Sequence, residues 1–376
     1  MTAPPDLLVI GGGITGQAAA LAAADRGAKV EIVDFGRNAG SAANAGSLHV
    51  QMQSRFLRLN PHLADNLESS LPLYLSAVTA WEALDVRLGG VELTREGGLM
   101  LAETPAQMAF LEQKAERETA KGLDVEILGQ NALRRIAPYL GAEIIGGELC
   151  RNEGKLNPLL ANNRMSDALT AAGVVIHRDR IDEIVDGPVP EAHGARAYRA
   201  KRLLVAAAWG AGSMLRTVGL TIPTEPEPLH MNITEAGAYE IHHLVQHAER
   251  SITLKQFRSG QVVIGGGWPA TRGAGDSVPG VRLRSLAGNV ALAGRIAPGI
   301  TGLRVLRTWA GYNTPVDGKA TIGPVHPTSG VFLALPGDAG YTLGPIVGQT
   351  AAALALGWEP PLDPEPYAPT RWAAAA

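Results

Sequence analysis

The segment DLLVIGGGITGQAAALAAADRGAKVEIVD, residues 6–34, constrains the fold more than any other stretch of the chain. Leu7 to Ile10 form a short apolar run of the kind that makes a strand buried on both faces. Gly11, Gly13 and Gly16 follow in the spacing GxGxxG. In that spacing the first glycine permits a tight turn, the second lets a pyrophosphate approach the backbone, and the third lets helix and strand pack closely. Ile14 and Thr15 fall between those glycines, at the start of the helix. Gln17 to Asp25 is alanine-rich and predicts the body of that helix, Gly27 stops it, and KVEIVD predicts a second strand. Asp34 ends that strand 23 positions after Gly11 (34 − 11), where a carboxylate meets a ribose. Glu31 lies within the strand and is expected to be solvated. Strand, glycines, helix, strand and terminal acid together predict a βαβ unit for a dinucleotide, NAD or FAD.

Composition narrows the rest. With 376 residues, 46% hydrophobic and 18% charged, and with 45 glycines, the chain suits a compact α/β protein of about two domains. A net charge of −3 without a basic stripe gives no reason to expect nucleic acid. No apolar run reaches the roughly 18 residues that a membrane span needs, and the start MTAPPDLLVI lacks a basic leader, so a cytoplasmic location is expected. The single cysteine, Cys150, cannot form an intramolecular disulfide or hold an iron–sulfur cluster alone. Any such cluster is expected on a partner subunit.

Along the chain, helix is expected over Leu63–Leu84 and Pro105–Lys121, and a hairpin around Ser259 and Gly260. The nucleotide layer resumes in residues 151–222 and again near the end. The predicted architecture is α/β. A Rossmann-like dinucleotide-binding domain (1–86, 151–222 and 305–376) joins an α+β substrate domain on a mostly antiparallel sheet (87–150 and 223–304). His242, His243 and His247 in HHLVQH have helical spacing, 243 and 247 being i and i+4. Without a carboxylate completing HExxH, a surface helix or lid is expected there and no metal site.

A second glycine-rich segment, GDAGYTLGPIVGQTAAAL (337–354), reads like another ligand-binding helix start. With LTIPTEPEPLHMNITE, TLKQFRSGQVVIGGGWP, RVLRTWAGYNTPVDGKATIG and YAPTRW it carries a resemblance across nearly the whole chain. The sequence resembles the FAD-dependent amine and amino-acid oxidoreductases related to D-amino-acid oxidase, glycine oxidase and sarcosine oxidase. It looks most like the small β subunits of heteromeric opine oxidases, hydroxyproline or proline dehydrogenases, and the sarcosine oxidase β type, which implies that any second flavin sits on a partner subunit.

The resemblance implies that FAD lies between the two glycine-rich ends. Asp34 and Phe35 would meet its ribose side, and Asn44, Ala45, Gly46, Ser47 and Leu48 would pass the ring or pyrophosphate. Ile181, Ala207, Gly311 and Gly337 would add contacts. Gly340, Tyr341, Thr342, Leu343 and Gly344 would curve beneath the ring, with Pro345 in the first turn of the helix. Arg58 would clamp a substrate carboxylate, with Arg55 beside the flavin; two arginines on a solvated helix turn are the plainer alternative. His49 and Tyr312 complete the catalytic candidates.

Several positions depart from the family pattern. Thr342 stands where monomeric sarcosine oxidase has a clamping lysine, and Trp309 near its flavin-tethering cysteine, which implies noncovalent FAD. VVIGGG lacks the lysine that promotes oxygen reduction in sarcosine oxidase, which points to partner subunits or a quinone as electron acceptor. Ala208 stands close to an expected glycine. The implied activity is oxidation of a carboxylate-bearing amine or amino acid. A stand-alone oxidase producing hydrogen peroxide and a noncatalytic flavin-bearing relay subunit are the alternatives.

Overall fold

The computed structural model describes residues 3–36, 40–275 and 277–375. Its first layer is a six-stranded sheet in the order Thr321–Pro324, Val331–Leu335, Arg202–Val205, Leu7–Ile10, Val30–Asp34 and Val175–Arg178. All neighbours run parallel except the first pair. The Leu7–Ile10 strand lies at its centre and is wholly buried. Because successive strand residues point to opposite faces, Leu7 and Val9 join the core beneath the helices Ile14–Asp25, Leu71–Arg87 and Gly340–Ala355. Leu8 and Ile10 join a second core with Met214, Leu215 and Tyr198. A sheet buried on both faces is the reason the opening run is continuously apolar.

The second layer is an eight-stranded sheet in the order Val305–Asn313, Glu227–Ala236, Gln261–Gly265, Thr253–Gln256, Leu244–His247, Gly98–Ala102, Gly146–Cys150 and Val125–Gly129. Every pair is antiparallel except that of Leu244–His247 with Gly98–Ala102. The Val305–Asn313 strand, grouped by sequence with the nucleotide domain, pairs with Glu227–Ala236 in this second sheet. Helix Leu283–Ile296 covers one face through Asn289, Ala293 and Ile296. Helix Pro105–Ala120 packs near Met100 and Ala102 through Leu111.

The helices expected over 63–84 and 105–121 form as Ala64–Ser69, Leu71–Arg87 and Pro105–Ala120, and the hairpin forms around Ser259–Gly260. The expectation for HHLVQH is overturned. Leu244–His247 is a buried strand, and His243 and His247 are buried rather than on a surface helix. Paired on both sides by Gly98–Ala102 and Thr253–Gln256, the segment follows its apolar pair Leu244–Val245 instead of its histidine spacing. Among the described residues no group of three or more histidines, cysteines or carboxylates could hold a metal. No described helix is long and apolar enough to cross a membrane. Glu31 is not simply solvated either: its carboxylate meets His177 Nε2 at 2.7 Å across the neighbouring strand.

Two glycines decide how the ends of the chain meet. A Cβ on Gly344 would lie 2.8 Å from Ile14 Cγ2 and 2.9 Å from Thr15 Oγ1. One on Gly348 would lie 2.2 Å from the Thr15 carbonyl oxygen. One turn apart on the same helix face, these residues bring helices Ile14–Asp25 and Gly340–Ala355 into backbone contact, so their N-termini open side by side.

Candidate cofactor and substrate site

Both helix starts line one cavity of about 340 Å³, the first through Gly13, Ile14 and Thr15, the second through Gly340, Tyr341 and Thr342. Neither helix has a side chain capping its first turn from its own N-cap residue. Ser41 Oγ accepts the Ile14 amide at 2.9 Å, and the other first-turn N–H groups of the two helices, each at the positive end of a helix dipole, meet in one place. That arrangement suits a ligand with anionic groups at two points.

The first turn has the shape a pyrophosphate needs. Gly11 has φ +110°, and a Cβ there would lie 2.4 Å from the Ala206 carbonyl oxygen. A Cβ on Gly16 would lie 1.9 Å from the Gly11 carbonyl oxygen. Asp34 Oδ2 accepts the Gly12 amide at 2.6 Å and Oδ1 accepts the Gly36 amide at 2.7 Å, which fixes the carboxylate beside the turn. Phe35 is half exposed, with the Arg180 guanidinium 5.7 Å from its ring centroid.

The loop after the second strand closes one side. Asn44 Oδ1 accepts the Gly46 amide, and Gly46 (φ +76°) packs so close to Leu156 that a Cβ would lie 2.1 Å from its carbonyl oxygen. Asn44, Ala45, Ser47 and His49 line the cavity, whereas Leu48 points into the core. The His49 amide donates to Thr342 Oγ1 at 3.2 Å, tying this loop to the late helix. Behind it, Glu153 accepts the Val50 and Gln51 amides, and Glu118 accepts the Met52 amide. Lys114 pairs with Glu118 and Glu148 at 2.8 Å each, all three buried. Burial pushes Glu118 above the usual carboxylate range, against the pull of Lys114 and with help from Glu148.

The late helix begins at Gly340, which puts Pro345 in the second turn rather than the first. Proline has no N–H for the carbonyl four residues back, here that of Tyr341. Trp81 Nε1 donates to the Tyr341 and Thr342 carbonyls at 3.1 Å each and stacks on the Tyr341 ring at 5.3 Å. An indole in the cavity's supporting helix thus holds the ligand-facing turn. Gly337 lines the cavity, while Leu343 and Gly344 are buried behind it. Ala208 has φ +49°, the left-handed region glycine would favour, and it lines the cavity with Ala206. Ala207 lies between them, packed against the second core, and Ile181 is buried in that core.

Strands of the eight-stranded sheet form the opposite wall. Gly311 and Tyr312 line it, with Tyr312 packed against Trp209 at 5.1 Å and its hydroxyl accepting the Gly273 amide. Trp309 donates from Nε1 to the Ala43 carbonyl and so pins this strand to the cofactor loop. Sequence reasoning missed Tyr74, Trp209, Gln246, Arg250 and Thr253, all of which line the cavity. They come from separate elements with no shared motif, and nothing local marks them.

The arginine pair is placed unevenly. The side chain of Arg55 lies outside the described residues. The Arg58 guanidinium donates to the Ala248 and Glu249 carbonyls, next to Arg250. In this arrangement Arg58 braces the turn that carries Arg250, and Arg250 is the arginine lining the cavity, paired with Glu103 at 2.7 Å. Beside it, burial pushes His247 down to about 4, so its ring is neutral. Lys255, also buried, donates to Ser47 Oγ at 2.8 Å and is pushed down to about 7 by desolvation.

This geometry agrees with the comparisons. The structure is similar to glycine oxidase from Geobacillus kaustophilus, with TM-score 0.85 and 21% identity over 98% of this chain and 99% of that one. It is similar to L-proline dehydrogenase from P. horikoshii, with TM-score 0.81 and 20% identity over 100% and 99%. It is also similar to iminodiacetate oxidase from Chelativorans sp. BNC1, with TM-score 0.80 and 23% identity over 96% and 98%. Among curated proteins no sequence reaches a significant match. The profile of the FAD dependent oxidoreductase (DAO) family matches residues 6–354, which spans both glycine-rich helix starts. The chain belongs to the DAO family of FAD-dependent oxidoreductases.

Proposed function

We propose that the chain oxidises the C–N bond of a carboxylate-bearing secondary amine or amino acid, of the opine, proline, hydroxyproline or sarcosine type. In this reading it is the catalytic subunit of a heteromeric dehydrogenase. The observation that carries the proposal is the single cavity shared by two helix N-termini and a facing wall bearing Arg250.

FAD fits this cradle: the close approaches at Gly11 and Gly16 leave room only for backbone, and Asp34 stands ready beside the turn. Gly13, Ile14 and Thr15 would hold its pyrophosphate, Asp34 its ribose, and Gly340, Tyr341 and Thr342 the pyrimidine edge. Trp309, in place of a tethering cysteine, supports noncovalent binding. When bound, the flavin supplies an acceptor for the hydride from the carbon next to nitrogen. The protein's own residues orient the substrate and exclude water. Arg250, braced by Arg58, would attract the carboxylate. The amino-acid-directed names of the three structural neighbours support this substrate class.

The test is an anaerobic screen of the purified, FAD-loaded protein with sarcosine, proline and hydroxyproline isomers and opines, with and without co-purified partners. Bleaching of the flavin absorbance by one of these amines is the expected result. A protein that binds FAD but is bleached by none of them refutes the proposal. The oxidases among the neighbours favour a second reading, a stand-alone enzyme that reduces oxygen. Oxygen consumption by the isolated chain separates the two.

A further inference from the structure

Glu153 is fully buried and sits at a crossing of the two domains. Its Oε1 accepts the Val50 and Gln51 amides at 2.8 and 3.2 Å, and its Oε2 accepts Gln51 Nε2 and Gln246 Nε2 at 2.8 and 2.9 Å. All four donors are neutral, so these bonds stabilise the charge without cancelling it. The nearest imidazole is that of His49, whose Nδ1 lies 3.8 Å from Oε1. That Nδ1 is buried and has no hydrogen-bond partner among the described residues. The His49 side chain is nevertheless 22% exposed and lines the cavity. The exposed part of the ring is therefore the edge away from Nδ1, which carries Nε2. A histidine with one nitrogen toward a buried carboxylate and the other toward a substrate cavity is arranged as a base, because the carboxylate selects the tautomer and stabilises the imidazolium once it forms.

We propose that His49 takes the proton of the substrate's ammonium group at Nε2 and that Glu153 is the positioning residue behind it. The inference rests on the amine-oxidising reading. Its balance is that of a proton transfer: one N–H bond of R₂CH–NH₂⁺–R′ breaks, an Nε2–H bond forms, and no electrons change hands. The neutral amine R₂CH–NH–R′ remains, with the lone pair that loss of hydride from its carbon requires. Nδ1–H would close on Glu153 as the ring becomes charged.

The other charged and titratable groups near this pair are Lys114, which reaches Gln51 Oε1 at 3.2 Å, Lys255 behind Ser47, and Cys150 in the strand just before Glu153. Arg250, His247, Asp338 and the tyrosines 74, 312 and 341 line the cavity that His49 lines. Among the described residues none of these hydrogen-bonds to His49 or Glu153.

The experiment compares the FAD-loaded wild-type chain with His49→Asn and Glu153→Gln. Anaerobic flavin reduction is followed between pH 7 and 10 with the fastest amine from the screen. At pH 7 His49→Asn is expected to reduce on the order of 100-fold more slowly. The rate returns to within a few-fold of wild type near pH 10, where an ammonium with a pKa like that of lysine, about 10, has lost its proton in solution. Glu153→Gln shows the same rescue, and the double variant is no slower than His49→Asn. Histidine ¹⁵N spectra of the chain without substrate report the Nδ1-protonated tautomer of His49 in the wild type and its loss in Glu153→Gln. Glu153→Gln turns an NH₂ group toward two of the four donors and can lower stability, so His49→Asn, which leaves the carboxylate in place, decides the matter if the other variant does not fold. A rate reduced equally at every pH, or unchanged at pH 7, overturns the inference. If no amine bleaches the wild type, the functional reading itself has failed, and the two outcomes are distinguishable.

Discussion

Gly348→Ala tests the contact that joins the two ends of the cavity. The new Cβ would lie 2.2 Å from the Thr15 carbonyl oxygen and 3.1 Å from the Ala19 nitrogen, and both are backbone atoms of a buried helix. An ordinary contact needs about 3.4 Å or more, so the helices must separate by roughly 1 Å. Overpacking of this kind costs about 1–3 kcal/mol, and the upper end applies where backbone opposes backbone. Alanine returns up to about 1 kcal/mol in helix propensity, leaving a net loss near 2 kcal/mol. With unfolding entropy of ~2.1 cal/mol/K per residue over 376 residues, the melting midpoint falls by about 2–3 °C. The effect on function is larger, because a shift of ~1 Å between the two helix starts misplaces their N–H groups over the cofactor. FAD affinity is expected to drop by about tenfold or more, measured by fluorescence titration of the deflavinated chain. Gly302→Ala is the control: it lies away from the cavity and its Cβ would meet nothing within 4 Å. If Gly348→Ala melts and binds FAD like Gly302→Ala, the close packing of the helices does not set the cavity.

Asp34→Ala removes the carboxylate that accepts the Gly12 and Gly36 amides and would meet the ribose. A charged hydrogen bond is worth about 1.5–3 kcal/mol, so the same titration should show FAD binding weakened by about 10- to 100-fold. Lys255→Met should change how stability depends on pH. Desolvation lowers the folded lysine to about 7 from its ordinary 10.5. Between those values the unfolded chain holds a proton that the folded chain lacks, so wild-type stability rises with pH across that window. The variant lacks this rise. In urea melts it should gain most on the wild type below pH 7, with the difference shrinking toward pH 10, and a constant difference would contradict the buried uncharged lysine.

What the sequence made legible was local chemistry. Gly11, Gly13, Gly16 and Asp34 sit within one βαβ unit, where each residue's purpose depends on near neighbours such as the Gly12 amide that Asp34 accepts. Gly340–Thr342 were readable as a helix start because glycine and proline mark backbone geometry directly. Long-range placement was not readable. Gly344 and Gly348 look like ordinary helix glycines until Thr15 lies against them. Pro345 was misplaced by a turn because its missing N–H is compensated by Trp81, more than 250 residues away. His243 and His247 match a helical period, but strand partners on both sides override it. Arg58 announced itself as a clamp, yet its partners are backbone carbonyls almost 200 residues distant. Gln246 and Arg250 reach the cavity only through sheet pairing that no motif encodes.

The backbone contact between the helices at Ile14–Asp25 and Gly340–Ala355 also orders events during biosynthesis. A nascent polypeptide emerging from the ribosome can complete its opening βαβ unit early, but one rim of the cradle is missing until residue 355 has cleared the exit tunnel. Flavin capture therefore waits for the late helix to emerge. Until then the apolar flank of the first helix that Gly344 and Gly348 will cover is exposed, a stretch for chaperones to shield.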